Sequence, residues 1–508
     1  MPPSSPSPSS ATARDQGDDR WVVGVLVLLT AGLLVATLPG IDMGGDAAWK
    51  WAFVRSWGRG LPWVYDHHTA RFGVNVPIYF AQQLLGTELN AMYAAPVVFA
   101  LLQVALVYEC GRRLGSRGVG LGAVALLLAF EPWAAAAGRL LPGVFQSTYW
   151  VLALCCYVEF ARSGRRRWLL LLGLSMLLAY EAMLSSLYFV PGLLLAVWWL
   201  RGRATDNAYW LIVFAVGVAI ETALYAFLSD FPRGQLQVAA RTHSNVEPLA
   251  FWGLFRRYVV LPRGWQVGLA VGACAAALAP WLTRSRAVQG LCMLTGTLFV
   301  AMTFGIKQLD PLVPALNFRA RYFDPLAPLL ALVVAACVRA GVRAYWQRKG
   351  AREPMRAERL SQRQALLLAC AALACEVVAV VLVRGGGGLT QLTRNAQQQR
   401  TLSEAYLTDT PIVASNARDH DQIKTMTVVA LAYFNERAFW AQANPHKPRL
   451  YRVKVGRRSH RVLMRNAFDA KRVQRDVAAK RCVVLAARIS PQEGLKLNVT
   501  DASDCKRD

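Results

Sequence analysis

The sequence is poor in charged residues, and acidic residues are the scarcest of them. Only 17% of the 508 residues are charged, and 31 acidic residues stand against 57 Lys and Arg. Hydrophobic residues make up 55% of the chain, and the mean hydropathy is +0.29. This composition excludes a soluble protein of this size, because so apolar a chain needs lipid as its solvent. We therefore expect a mostly α membrane protein.

Two further signals are missing from the sequence. Its ten cysteines show no zinc-type pairing of CxxC motifs, and most lie within apolar segments, where they are typical small buried hydrophobic residues. We find no internal repeat, which counts against transporter folds built from repeated halves. The sequence thus favours a membrane protein of another architecture.

Eleven apolar segments are predicted to span the membrane as helices within a transmembrane region at residues 21–383. Several are shorter than the roughly 20 residues that a bilayer requires, so their ends are approximate. Residues 1–20, rich in Ser, Pro and Asp, are predicted to form a disordered cytoplasmic tail. The predicted spans are 21–38, 91–110, 119–130, 144–160, 168–180, 185–200, 208–228, 265–283, 287–304, 322–340 and 365–383.

Arginine marks one side of this predicted bundle. It is concentrated in the loops between alternate spans, and by the positive-inside rule that side is cytoplasmic. The net charge of +26 is then a topology signal and an attraction for anionic lipid rather than a sign of nucleic-acid binding, which we do not expect. We predict a multi-pass protein of a bacterial inner membrane with a cytoplasmic N-terminus. The five loops contain Arg112, Arg113 and Arg117; Arg162, Arg165, Arg166 and Arg167; Arg201 and Arg203; Arg284 and Arg286; and Arg343, Arg348, Lys349, Arg352, Arg356, Arg359 and Arg363.

The composition becomes that of a soluble domain after the last predicted span. Residues 385–388 are all Gly, which is typical of a flexible linker. Beyond them, β-like stretches at 410–415, 449–455 and 482–487 alternate with helical ones at 421–442 and 467–480. This alternation predicts a small extracytoplasmic α/β domain over residues 384–508. Cys482 and Cys505 would lie in an oxidising compartment there, so a disulfide between them is one alternative.

The first loop on the predicted outer side, residues 39–90, carries the most informative acidic residues. Asp42 and Asp46 follow the first span and lie four residues apart, so on a helix their carboxylates would face the same way. A carboxylate flanked by apolar rings at a membrane surface can act as a general base toward a hydroxyl or amine. The alternative is that either Asp caps the amphipathic stretch 47–57, whose aromatic rings we expect at headgroup depth.

Two histidines lie further along the same loop. His67 and His68 follow Asp66 and precede Arg71. The two imidazoles would hold a divalent metal ion if the backbone turned them to one centre, which adjacent side chains seldom do. Otherwise a His of this stretch, with Arg71, is expected to contact a substrate or to face water.

Other polar residues lie on the predicted outer side. Glu131, at the end of the third span, either faces a cavity or pairs with Arg139. The positive-inside rule does not explain cations on the outer side of the membrane. Such cations either bind a phosphate or pyrophosphate headgroup or extend their side chains to lipid headgroups. The cluster before the tenth span consists of Lys307, Arg319, Arg321 and Tyr322.

The order of several short motifs resembles that of the GT-C membrane glycosyltransferases. The resemblance covers about residues 20–383, and the branch it favours is that of the protein O-mannosyltransferases and the aminoarabinose transferase of lipid A. It implies a GT-C-like bundle with an outer C-terminal domain. The motifs are the Asp-bearing first outer loop, Pro77-Ile78-Tyr79-Phe80 ending in Leu84-Leu85-Gly86, Gly111-Arg112-Arg113-Leu114-Gly115, and Arg321-Tyr322-Phe323-Asp324-Pro325-Leu326-Ala327-Pro328.

This resemblance implies inverting transfer of a sugar from a polyprenyl-phosphate carrier to a glycan, lipid or protein acceptor on the outer face. The family's first-loop acid corresponds to Asp46, or else to Asp42, and its second acid to Glu131. The sequence departs from the family in having no Glu directly after Asp46 and in having Gly143 where an acid is common. Both departures leave a divalent metal ion and the identity of the base open. The alternative functions are a lipid or glycan transporter or flippase, and a non-catalytic scaffold of the cell envelope.

Overall fold

The computed structural model contains a helical bundle followed by a region with a β-sheet. It describes residues 11–38, 71–86, 89–228, 250–308, 313–314, 323–348, 387–407, 410–415, 450–455, 458–463, 469–479, 482–490 and 494–500, together with parts of 47–54 and 371–382. The helices of the bundle are α1 (Ala11–Ala36), α2 (Phe72–Leu85), α3 (Ala94–Leu114), α4 (Arg117–Ala129), α5 (Glu131–Ala137), α6 (Pro142–Ser163), α7 (Arg167–Ala182), α8 (Val190–Arg201), α9 (Thr205–Leu228), α10 (Gly253–Val259), α11 (Arg263–Leu282), α12 (Arg286–Phe304) and α13 (Leu326–Arg348).

Helix α6 lies at the centre of the bundle. It packs against α3, α7 and α13, and its Phe145, Trp150 and Tyr157 side chains are fully buried. Two 3-10 helices, Leu89–Tyr93 and Leu184–Phe189, lead into α3 and α8. The bundle is therefore built around one central, apolar helix.

Within the described residues, seven helices are long and apolar enough to cross a membrane, or eight if the bent pair α4 and α5 is a single span. These seven coincide with predicted spans. The predicted spans at 21–38, 119–130 and 168–180 correspond to α1, α4 and α7, whose apolar parts are shorter. The span at 365–383 lies mostly outside the described residues, so the count of eleven stays a prediction.

Glycine and proline set the ends of the long helices. Helices α6 and α8 end at Gly164 and Gly202, whose φ angles of 66° and 67° are left-handed and whose N–H groups donate to Phe160 O and Trp198 O. Such a glycine reverses the chain at once, so the next helix starts within a few residues. The same two helices begin with proline in the first turn, where no N–H is needed.

Helices α3 and α4 cross where two glycines meet. A Cβ on Gly111 would lie 2.8 Å from Gly120 Cα, and a Cβ on Gly120 would lie 2.5 Å from Tyr108 O. We expect Gly120→Leu to force the helices apart, at a cost of about 1–3 kcal/mol for overpacking. The measurement is the melting temperature of the purified protein in detergent. Gly296→Leu is the matched control, because a Cβ there meets nothing within 4 Å; equal melting temperatures for the two variants would contradict the crossing.

The first outer loop differs from its prediction in one respect. Its described residues between 47 and 54 are helical, as the amphipathic pattern suggests, but they are buried. Trp51 is 1% and Phe53 5% exposed, so these two rings pack inside the protein rather than against lipid. The loop packs against α2, where Gln82 Nε2 donates to Trp51 O over 2.9 Å.

The strands are β1 (Ile306–Gln308), β2 (Val313–Pro314), β3 (Ile412–Ser415), β4 (Leu450–Val455), β5 (Arg458–Leu463), β6 (Val483–Ser490) and β7 (Gly494–Thr500), of which β1 and β2 form a separate pair. The region after the bundle contains α14 (Gly388–Leu407), α15 (Ala470–Ala478) and a mixed five-stranded sheet in the order β4-β5-β3-β6-β7. Only β3 and β6 pair in parallel. The sheet and α15 share an apolar core, whereas Ile412 of β3 belongs to the core of the bundle, so the two parts are in contact. The predicted helix 421–442 and Cys505 lie outside the described residues, and an extracytoplasmic location stays a prediction.

Candidate functional site

The two ends of the helical bundle differ in chemistry. At the first, which we call the Arg-rich end, the short Arg-bearing loops join the helices, and Gly164 lies beside the guanidinium of Arg201. At the opposite end lie α5, the first turn of α6, α10 and the start of α13, and there Gly143 contacts Asp324. By the positive-inside rule the opposite end is the predicted outer one. We therefore place the candidate site at this end.

The structure leaves the roles of most predicted site residues as predictions. For Lys307, on β1, only the backbone is described. Arg71 precedes the first residue of α2 and is partly buried. The residues outside the described part of the chain are Asp42, Asp46, His67, His68, Arg319, Arg321 and Tyr322.

Glu131 begins α5, where the chain bends by 76° after α4. Its side chain is exposed, and a carboxylate in the first turn of a helix is favoured by the helix dipole. Arg139, in the turn between α5 and α6, is partly buried. No ion pair joins Glu131 to Arg139, both of which the structure describes.

Buried amide and hydroxyl groups hold α5 and the start of α6 in place. Trp133 Nε1 of α5 donates to Gln103 Oε1 of α3 over 2.6 Å, and Gln103 Nε2 donates to Ser147 Oγ of α6. One residue earlier on α6, Gln146 Nε2 donates to Ser185 Oγ and Ser186 Oγ over 2.9 and 2.8 Å. Polar side chains inside a membrane protein are costly unless paired, so this layer fixes the geometry of the opposite end.

A half-buried arginine lies at the same end on α10. Arg257 Nη2 donates to Thr303 O over 3.1 Å, and the neighbouring Tyr258 hydroxyl bonds to Thr303 Oγ1. Burial lowers the pKa of Arg257 from its ordinary value, and burial raises the pKa of Tyr258 despite its bond to Thr303. An arginine nevertheless stays protonated in proteins, so this helix presents a fixed, partly desolvated cation.

An apolar groove runs between α2, α3, α6 and α7. Its cavity volume is about 560 Å³, within the range of ligand sites in proteins. Tyr149 OH donates to Gly73 O over 3.0 Å at its wall, and the buried Glu181 is its one acidic lining residue. Ala81, Phe80, Leu84, Leu85, Val98, Phe99 and Leu178 are among the other lining residues.

Sequence reasoning missed Arg257, Glu181 and the position of Asp324. Arg257 could have been found from the pair Arg256 and Arg257 within an aromatic stretch of a predicted outer loop. Glu181 could have been found as an acid at the end of an apolar segment. For Asp324, the sequence gives no sign that it meets Gly143, which lies 181 positions earlier in the chain.

The described residues contain no group of three His, Cys, Asp or Glu side chains that could hold a metal ion. The residues from which we predicted such a site, His67 and His68 next to Asp66, lie outside the described part of the chain. The metal site therefore stays a prediction.

No protein-family model matches the sequence, and no curated protein matches it. Solved structures do. The crystal structure of ArnT from Cupriavidus metallidurans bound to undecaprenyl phosphate aligns with a TM-score of 0.53 at 12% identity, over 96% of this chain and 97% of that chain. Its apo form aligns with a TM-score of 0.51 at 14% identity, over 94% and 93%. The chain thus shares the fold of ArnT over almost its whole length.

Proposed function

We propose that this protein is a GT-C membrane glycosyltransferase that moves a sugar from a polyprenyl-phosphate carrier to an acceptor on the outer face of the membrane, with inversion. The observation that carries the proposal is that almost the whole chain shares the fold of ArnT. The ArnT structure in that comparison is bound to undecaprenyl phosphate. The likeness concerns the fold, and we infer the activity from the chemistry of this chain's own residues.

The groove between α2, α3, α6 and α7 is suited to a polyprenyl chain. It is lined almost wholly by apolar side chains, and Phe80, Leu84 and Val98 at its edge are more than half exposed, as expected of a groove that opens to lipid. A hydrocarbon chain would be held there by van der Waals packing against these side chains, because lipid already surrounds both and no water is displaced. Binding the carrier here places its phosphate near the membrane boundary.

The phosphate of the carrier would meet cations at that boundary. Arg321, Arg319, Lys307, Arg139 and Arg71 are our proposed ligands, with Tyr322 and the histidines His67 and His68 beside the sugar. Arg257 supports this assignment, because a partly desolvated guanidinium binds a phosphate more strongly than one in water. A divalent ion held by His67 and His68 next to Asp66 would supply further positive charge to the leaving phosphate.

Transfer then needs a base for the acceptor. The acceptor hydroxyl or amine gives its proton to Asp46, or to Asp42 if Asp46 is a cap, and its oxygen or nitrogen attacks C1 of the sugar. The bond from C1 to the phosphate oxygen breaks on the opposite face, the electron pair stays on the phosphate, and polyprenyl phosphate leaves. Glu131, exposed at the start of α5, is our proposed second acid.

The experiment is donor consumption by the full-length protein in bacterial membranes that contain the native acceptors. A panel of radiolabelled undecaprenyl-phosphate sugars is supplied, and release of undecaprenyl phosphate is measured. Release with one sugar supports the proposal. Movement of the intact lipid-linked sugar between leaflets, with no release, would instead indicate the flippase alternative.

A bulky side chain in the groove should weaken use of the long carrier. We expect Val98→Trp to raise KM for the undecaprenyl donor by about tenfold, which corresponds to losing roughly 1.4 kcal/mol of van der Waals contact in the filled groove, and to leave a farnesyl donor unaffected. Val98 lines the groove at its open edge, so a larger ring fits without overpacking the core. Leu102→Trp, one turn further along α3 and 47% exposed outside the groove lining, is the control. Equal KM values for Val98→Trp and Leu102→Trp would place the carrier elsewhere.

A further inference from the structure

A buried carboxylate lies at the opposite end of the bundle, where α13 begins. Asp324 is 7% exposed, and its neighbour Phe323 packs against Tyr258 and Trp265 with ring centroids 6.1 and 5.7 Å apart. A buried carboxylate is costly unless polar or charged groups compensate for lost water. It is one of four acidic residues that are buried in the described part of the chain.

Gly143 is shaped to admit this carboxylate. A Cβ on Gly143 would lie 3.0 Å from both Cβ and Cγ of Asp324 and would collide with Oδ2. No residue other than glycine therefore fits at 143 while Asp324 keeps its place. The Asp324 side chain fills the volume that a side chain on residue 143 would occupy, and the two positions form a matched pair.

The simplest role for Asp324 is to cap α6. This helix begins at Pro142, and its own N-cap residue, Leu141, makes no side-chain capping bond. A carboxylate beside the first turn also interacts favourably with the helix dipole. A cap alone would be satisfied by a neutral Asn, so this role and a role that needs the charge are separable.

A second observation points to a ligand at this end of α6. Gln146, one turn after Gly143 and on the same side of the helix, is fully buried, and its Oε1 has no hydrogen-bond partner among the described residues. A buried acceptor without a donor is unfavourable. Two acceptors one turn apart, a carboxylate and an amide oxygen, suit a ligand that carries several hydroxyl groups.

We propose that Asp324 is a second carboxylate of the sugar-transfer site and accepts hydrogen bonds from hydroxyl groups of the transferred sugar, while Gly143 leaves it room. This assignment rests on the proposed function. It also places the carboxylate three residues after Arg321, the proposed ligand of the donor phosphate.

The test separates charge from capping. Asn caps a helix as well as Asp does, so Asp324→Asn should melt like the parent but consume the undecaprenyl-phosphate sugar about ten- to a hundredfold more slowly, the usual effect of a lost hydrogen bond to a charged group. Asp206→Asn is the control, because Asp206 is equally buried in the first turn of α9 at the Arg-rich end. If Asp324→Asn consumes the undecaprenyl-phosphate sugar at the parent rate, Asp324 serves only as a helix cap and the proposal is overturned.

Moving the charge provides a rescue test. Asp324→Gly alone should be as slow as Asp324→Asn. Adding Gly143→Asp returns a carboxylate to the same volume from the other side and should restore most of the lost rate. A double variant that melts like the parent yet stays as slow as Asp324→Gly would overturn the assignment of the carboxylate to this place.

Binding of bare undecaprenyl phosphate distinguishes this proposal from the proposed function. If the parent consumes none of the lipid-linked sugars, the glycosyltransferase function has failed. The role of Asp324 is then tested by affinity: if its carboxylate lies near the bound phosphate, its charge repels the phosphate, so Asp324→Asn should bind undecaprenyl phosphate about two- to fourfold more tightly. Unchanged affinity would overturn the placement of Asp324 beside the phosphate, whatever the activity of the protein.

Discussion

An Asp46→Asn protein should bind the lipid-linked donor as the parent does and yet transfer sugar about a hundredfold more slowly or worse, the usual effect of removing a general base. The amide keeps the shape of the carboxylate and its capacity to cap a helix, but it cannot accept the proton of the acceptor. The residue follows the first span and precedes a helical stretch that is packed against the bundle, so the loop can hold it at the membrane boundary. The measurement is the single-turnover rate of undecaprenyl-phosphate release at saturating donor.

Asp42→Asn is the control for this experiment, because it changes an Asp four residues away in the same loop. We expect it to keep most of the parent rate. The reverse pattern, with Asp42→Asn inactive and Asp46→Asn fully active, would move the base to Asp42. Full activity of both variants would contradict the proposed mechanism.

The fold could be predicted from sequence wherever the physical signal is local. Apolar runs of sufficient length, Arg in alternate loops and glycine after the last turn of α6 and α8 each act over a few residues. The apolar runs and the Arg-bearing loops predicted the long helices, and the fold that the chain shares with ArnT was expected only from the order of several short motifs. These signals did not predict the bend of 76° between α4 and α5. Pro132 is the one helix breaker beside Phe130 and Glu131, and a single proline does not determine the angle between two helices.

The environment of side chains was harder to predict than the helices that carry them. Trp51 and Phe53 alternate with charged residues in a pattern typical of an interfacial helix, and their burial depends on α2, which the pattern does not include. The meeting of Asp324 with Gly143 depends on the packing of α13 near α6. For Asp46 and Arg321, sequence provides the whole argument, because both lie outside the described residues.

Replacing Arg321 with Ala should weaken donor use far more than it affects folding. A guanidinium donates paired hydrogen bonds to phosphate oxygens, and losing a hydrogen bond to a charged group costs about 1.5–3 kcal/mol, which corresponds to roughly a ten- to hundredfold rise in the Kd for undecaprenyl phosphate. The effect should appear equally for a donor and for the bare carrier, because the phosphate is common to both. Titration of the purified protein in nanodiscs with undecaprenyl phosphate measures it directly.

Arg343→Ala is the matched control, since Arg343 lies on α13 near the Arg-rich end and its side chain is exposed. Removing a cation there lowers the net charge by the same amount, so a general weakening of anion attraction would affect both variants alike. A phosphate site at the opposite end would be weakened by Arg321→Ala alone. If Arg321→Ala binds undecaprenyl phosphate as tightly as Arg343→Ala does, the phosphate is held by other cations, and Arg257, the partly desolvated arginine on α10, is the next residue to replace.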